Sequence, residues 1–277
     1  MKGNITNINS RIDDKILTQL HNIELDIMDE IHRICTDNNI TYYLAGGSVL
    51  GAIRHKGFIP WDDDIDICMP RKDFEKFVEV CQEQLQTNFF LQTEQTDQFY
   101  GKFIAKVIKK GTIFQEEIAG SRKAYNGIFV DVFVLDDIKH RKGKQKIFTK
   151  IIWFLTDILS IKRGWSISRK KAYALLSFLL KENFILKLRY KFLTWDMKKK
   201  CAFYVNYGSQ YGVVKQTFPK SVFGIPKLSK FENRQYYIPQ QAKRFLKQLY
   251  GADYMKLPPM EKRVCHNPVK IDFGNLV

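Results

Sequence analysis

The sequence predicts an α/β (α+β) fold, a mixed sheet carrying helices, with a helical segment inserted past its middle. Three observations predict it. Ile16, Leu20, Ile23, Ile27, Ile31 and Ile34 recur at helical steps. Short apolar runs of strand length then alternate with turn residues as far as Leu135. From Lys139 to about Asn206 the chain becomes basic and helical in pattern, with apolar blocks at residues 151–155 and 173–180.

Taken in order, the first helix spans residues 15–35 and stops at Asp37-Asn38-Asn39. Thr41 to Ala45 is a short strand bounded by Gly46-Gly47, and Ser48 is a candidate N-cap for a helix from Val49 to Arg54. His55 to Trp61 is a loop broken by Gly57 and Pro60, and Asp64 to Met69 is the next strand. Pro70 ends it, and Phe74, Phe77, Val78 and Cys81 place a helix over Arg71 to Glu83. Strands follow at Phe89–Gln92, Lys102–Lys109, Thr112–Glu116 and Ile128–Leu135, and one more helix at Pro239–Tyr250. This divides the chain into a core over 1–138, a basic helical segment over 139–205 that faces a membrane or an acceptor or packs on the core, and a C-terminal portion over 206–277 that completes the core.

A chain of 277 residues, 45% hydrophobic, is long enough to bury a substantial core. Its net charge is +16. Eighteen of the 45 Lys/Arg but only three of the 29 Asp/Glu fall between Lys139 and Lys200, so the remainder is nearly neutral. Such an imbalance describes a localised docking surface rather than a general polyanion binder. No nucleic-acid recognition motif accompanies it, and no nucleic-acid partner is expected. Five cysteines without a C-x-x-C pair argue against a disulfide framework and a structural zinc site. With no signal-like N-terminus and no long apolar run, the expected location is cytoplasmic, peripheral on the inner face of the membrane where the basic helices touch lipid.

The chemistry concentrates in two neighbouring strings. In Asp62-Asp63-Asp64-Ile65-Asp66, strand alternation sends Asp64 and Asp66 to one face and Ile65, Ile67 and Met69 to the other. Two carboxylates about 6.5–7 Å apart on one strand face suit a hard divalent ion, Mg²⁺ or Mn²⁺. Without a metal, four aspartates in five residues would repel one another. Just upstream, Gly46-Gly47-Ser48 ends a strand and opens a helix, an arrangement that leaves backbone N–H groups and a hydroxyl for a phosphate. Arg54, His55 and Lys56 lie between the strings, either to neutralise a diphosphate or to offset the acidic run.

A glycine-glycine-serine turn, a short helix and a D-x-D strand resemble the DNA polymerase beta-like nucleotidyltransferase superfamily. The string GGSVLGAIRHKGFIPWDDDIDICMPRKDF, with FENRQYYIPQQAKRFLKQLYGADYMKLPPMEKRVCHNP in the tail, resembles the LicD family, to which fukutin-related ribitol-phosphate transferases are similar. The likeness covers roughly residues 20–137 and 206–268. It implies a metal-dependent transferase moving a phosphorylated alcohol, phosphocholine in the name-giving case, from a CDP-linked donor to a glycan or its lipid-linked precursor. It further implies Asp64 and Asp66 as metal ligands with Asp62 beside them, and Asp131 as a third carboxylate from a later strand and a candidate base. Arg54 and His55 become donor-phosphate contacts, Lys106 a phosphate contact or a snorkelling surface lysine, and His266 a substrate contact or a turn cap. The alternatives are a nucleotidyltransferase that releases pyrophosphate and a non-catalytic module bound to an anionic membrane.

Overall fold

The structure is a computed structural model that describes residues 12–116, 123–139, 142–165, 171–197, 199–263, 265 and 268–275. It is a mixed α/β architecture. Helix α1 (Asp14–Asp37) opens at Asp13, whose carboxylate accepts the Lys15 N–H. Strand β1 (Tyr43–Leu44), helix α2 (Gly46–Arg54), strand β2 (Ile65–Pro70) and helix α3 (Arg71–Gln84) follow. Next come β3 (Phe89–Gln92), β4 (Ala105–Lys109), β5 (Ile113–Glu116) and the ten-residue β6 (Phe129–Ile138). The basic segment holds α4 (Lys142–Lys162), α5 (Lys171–Leu179) and α6 (Glu182–Leu193). The tail adds β7 (Phe203–Val205), β8 (Thr217–Pro219), α7 (Lys220–Phe223), β9 (Lys227–Phe231), β10 (Arg234–Ile238), α8 (Ala242–Tyr250) and β11 (Pro268–Asp272).

The main sheet runs β1-β2-β6-β4-β3, with β7 joined to β6 and β8 to β7. Among the described residues only β2 and β6 pair in parallel. Their register sets Asp66 opposite Asp131, and the antiparallel register of β6 and β4 sets Asp131 opposite Lys106. A polar row therefore crosses three adjacent strands. Ile65, Ile67 and Met69 of β2 and Val130, Val132 and Val134 of β6 are buried, on the strand faces opposite that row. Helix α1 packs against β4, β6 and α3.

Several boundaries differ from expectation for identifiable reasons. Helix α2 starts at Gly46 with Ala45 as its N-cap, so Ser48 lies within the first turn instead of capping it. Its hydroxyl accepts the Asp66 N–H at 2.8 Å, which ties helix to strand. Strand β6 runs past Leu135 because Asp136, Asp137 and Ile138 pair with β7. That strand falls inside the stretch expected to be helical. The hairpin β9–β10 and the pairing of β11 with β5 were likewise not expected.

One buried cluster joins residues of the first 135 positions with Phe218, Phe223, Phe231, Tyr236, Phe245, Leu249 and Ile271. The basic helices build two smaller clusters, one shared with β6 and β7 around Ile138, Ile152 and Val205, and one between α4 and α6. Arg189 of α6 is fully buried and ion-paired with Glu94.

Candidate active site

The polar row opens into a cleft of about 870 Å³, mouth included, lined by Gly46, Asp64, Asp66 and Asp131 together with Lys102, Trp153 and Tyr211. Elements from all three thirds of the chain meet there. Asp66 is fixed through its backbone: its N–H donates to Ser48 Oγ, and its carbonyl accepts from Ala45 N at 2.8 Å.

The two glycines are explained by the approach of carboxylates. A Cβ on Gly46, whose φ is +48°, would stand 3.1 Å from Asp66 Oδ2, and one on Gly47 would stand 2.8 Å from Asp62 Oδ2. The anions drawn closest to this turn are thus the protein's own aspartates.

Asp131 is buried inside an apolar strand. Among the described residues its Oδ1 has no hydrogen-bond partner and has Lys106 Nζ at 3.4 Å. A buried carboxylate oxygen left in that state is costly unless a further cation meets it. Lys106 is itself buried over the Phe129 ring, and burial lowers its pKa. It stands behind Asp131 in the row and does not line the cleft. The tightest carboxylate cluster among the described residues is Asp62-Asp63-Asp64, with oxygens within 4.8 Å of one another. Asp63 is 1% exposed and does not line the cleft, so Asp64 is the member common to both groupings. An all-oxygen set, with a buried carboxylate oxygen met only by the Lys106 ammonium at 3.4 Å among the described residues, fits Mg²⁺ or Mn²⁺.

Beside the acidic run lies Glu24 of α1, 1% exposed, with Oε2 unpartnered among the described residues. Burial first, then the charges of Asp64, Asp63, Asp62 and Asp66, raise its pKa well above the usual carboxylate range. His21, one turn earlier, stacks on Phe58 at 3.6 Å and bonds through Nε2 to the Asp62 carbonyl at 2.8 Å. Glu232 of the β9–β10 turn accepts the Phe58 N–H at 3.0 Å. These contacts hold the loop that carries the aspartates.

Arg54 and His55 sit apart from the cleft wall. Arg54 donates Nε to His55 Nε2 at 2.8 Å and Nη1 to the carbonyl oxygens of Tyr254 and Lys256 at 2.9 and 3.2 Å. Trp61 has the Arg54 guanidinium 6.0 Å and the Arg263 guanidinium 4.4 Å from its ring centre. His266 lies outside the described residues. Lys102, Trp153, Tyr211 and Tyr250 were not singled out from the sequence. Tyr211 lines the cleft with its hydroxyl 3.3 Å from that of Tyr250, and burial raises both phenol pKa values.

A family model described as the LicD/FKTN/FKRP nucleotidyltransferase domain matches residues 39–161. The chain is 30% identical over 259 residues to the lipopolysaccharide cholinephosphotransferase LicD of Haemophilus influenzae, covering 88% of this chain and 92% of that protein. An uncharacterized protein of Rickettsia typhi is 39% identical over 70 residues, 25% of this chain and 21% of that one. Another, of Rickettsia prowazekii, is 47% identical over 47 residues, 17% of this chain and 18% of that one.

Proposed function

Because the chain belongs to the LicD family, we propose that it transfers a phosphorylated alcohol, most specifically phosphocholine, from a CDP-linked donor to a hydroxyl of a cell-surface glycan or its lipid-linked precursor. The observation that carries this is the convergence of Gly46, Asp64, Asp66 and the buried, underpartnered Asp131 on one cleft. In the reaction the acceptor oxygen bonds to the phosphorus that bears choline, the bond from that phosphorus to the bridging oxygen breaks, and CMP leaves. Asp131 would receive the hydroxyl proton, a role supported by its burial at the cleft beside Lys106. Asp64, Asp66 and Asp131, with Asp62 next to them, would hold Mg²⁺ or Mn²⁺, which supplies charge neutralisation at the phosphoryl oxygens. The division into a core over 1–138, a basic segment over 139–205 and a completing portion over 206–277 belongs to the same proposal.

Calorimetric titration with CDP-choline, CDP-ribitol, CDP-glycerol and CTP, each with Mg²⁺ and then EDTA, tests it. One CDP-alcohol is expected to bind in the metal-dependent arm at least about tenfold more tightly than CTP. Tight binding of CTP alone would transfer the assignment to a nucleotidyltransferase releasing pyrophosphate.

The same proposal places the protein on the inner, anionic face of a membrane. Among the described residues no helix is long and apolar enough to cross a bilayer. The α5–α6 turn nevertheless exposes Leu175, Phe178, Leu179 and Phe184, Phe178 to 83%, in the segment that carries nearly all the excess positive charge. Apolar tips flanked by lysines suit the interfacial region of anionic lipid. Co-sedimentation with phosphatidylglycerol-containing vesicles at low salt is expected, reduced by Phe178→Glu and by about 0.5 M salt. Absence of retention at low salt refutes it.

A further inference from the structure

We propose that the cavity between α3, the Thr93–Ile104 connection and α6 is the acceptor site, and that it takes an uncharged saccharide. The role as acceptor site rests on the transferase reading above; the saccharide chemistry of the lining does not. This cavity encloses about 700 Å³, mouth included, and shares two wall residues, Lys102 and Ile104, with the aspartate cleft. The residue between them, Phe103, lines the second cavity and packs edge-on against Trp153 of the first at 5.7 Å. An acceptor hydroxyl has to reach a phosphorus held beside Asp64 and Asp66. A ligand seated in the second cavity would end at that seam.

The lining selects the chemistry. Its cations are already neutralised: Arg71 donates Nε and Nη2 to the Asp136 carboxylate at 2.8 and 2.9 Å, and Arg189 pairs with Glu94. Lys102 makes no ion pair among the described residues and stands at the seam, where a transferred phosphate would pass. A second nucleotide or an anionic headgroup would therefore find no unpaired cation deeper in the cavity. An acyl chain would bury Arg189, Glu94 and Thr93 against hydrocarbon, which is unfavourable. Sugar rings present C–H faces and hydroxyl edges. Phe74, Phe103 and Tyr190 offer the aromatic surfaces, while Gln95 and Glu75 offer hydrogen-bonding groups, Glu75 already accepting from the Tyr190 hydroxyl at 2.8 Å. The inserted helices thereby acquire a role, since α6 supplies one wall.

The test compares the wild-type protein, Val78→Trp, which fills the cavity from the partly buried side of α3, and the double variant Gln95→Ala/Tyr190→Ala, which alters two exposed side chains. The probe is the neutral hexose oligosaccharide portion of lipopolysaccharide, freed of its lipid, phosphates and acidic sugars, titrated alone and with CMP. CDP-choline affinity is measured in parallel. The oligosaccharide affinity is expected to fall about tenfold or more in both variants, with CDP-choline affinity within about twofold of wild type. Unchanged oligosaccharide binding in folded Val78→Trp, or no binding by the wild type, overturns the proposal. If Val78→Trp does not fold, the double variant decides. Oligosaccharide binding that is lost in the variants, in a protein that never binds CDP-choline, leaves the saccharide site standing and removes the transferase reading instead.

Discussion

Asp66→Asn is expected to lower phosphocholine transfer by about 10³-fold or more while the melting temperature stays level or rises. The side chain keeps its shape and loses its charge. Its backbone remains held by Ser48 Oγ and Ala45 N, neither of which depends on the carboxylate. The amide fits the space in front of Gly46, where Asp66 Oδ2 now lies. Repulsion within the acidic run weakens, because Asp66 shares its surroundings with Asp62, Asp64 and the buried Glu24. Lost activity with retained or increased stability is the signature of a side chain kept for chemistry at the expense of the fold. Asp131→Asn should differ. It removes the carboxylate paired with buried Lys106, so activity and stability fall together. Incorporation of labelled choline into the glycan acceptor, with thermal denaturation alongside, measures both. An Asp66→Asn protein within tenfold of wild-type activity would remove Asp66 from the chemistry.

The elements that sequence made legible are those whose signal is local. The apolar stripe of α1 and the alternation that sends Asp66 to one face and Ile65 and Ile67 to the other are periodic patterns, and the structure places these residues accordingly. Asp131 was implied by the resemblance as a third carboxylate, and it lies in register with Asp66. Other features depend on tertiary structure. Glu24 sits beside Ile23 in a helix whose buried face is wider than a single stripe, extending to Leu25 and Met28. A glutamate at that position reads as the polar edge of the helix. Lys102, Trp153 and Tyr211 come from three distant segments and share no spacing. Strand β7 is three residues long and exists because the end of β6 needs a hydrogen-bonding partner, a requirement invisible in its own residues. Gly46-Gly47 was legible as a phosphate-type turn, yet the contacts that demand glycine there are with Asp66 and Asp62, from the neighbouring strand and loop.

Asp136→Ala is expected to cost about 3–5 kcal/mol of stability. The Arg71–Asp136 pair is buried on both sides, with side-chain exposures of 8% and 2%, and is joined by two hydrogen bonds. Deleting the carboxylate leaves a largely buried guanidinium without its bidentate partner, a larger penalty than the net worth of the intact pair. For a chain of this size the melting temperature should fall by about 10 °C, at roughly 2–4 °C per kcal/mol. Replacing both residues by apolar ones, Arg71→Met with Asp136→Leu, should recover most of the loss, because no orphaned charge remains. Arg71 opens α3 directly after β2 ends at Pro70, and Asp136 follows immediately after the β2–β6 pairing ends at Leu135. The pair therefore clamps the same two strands whose register brings Asp66 opposite Asp131. Below its melting transition Asp136→Ala should retain measurable transfer, the reverse of the Asp66→Asn pattern. A shift in melting temperature of less than about 2 °C would mean that the Arg71 charge finds another partner or water, and that the clamp is not what holds the register.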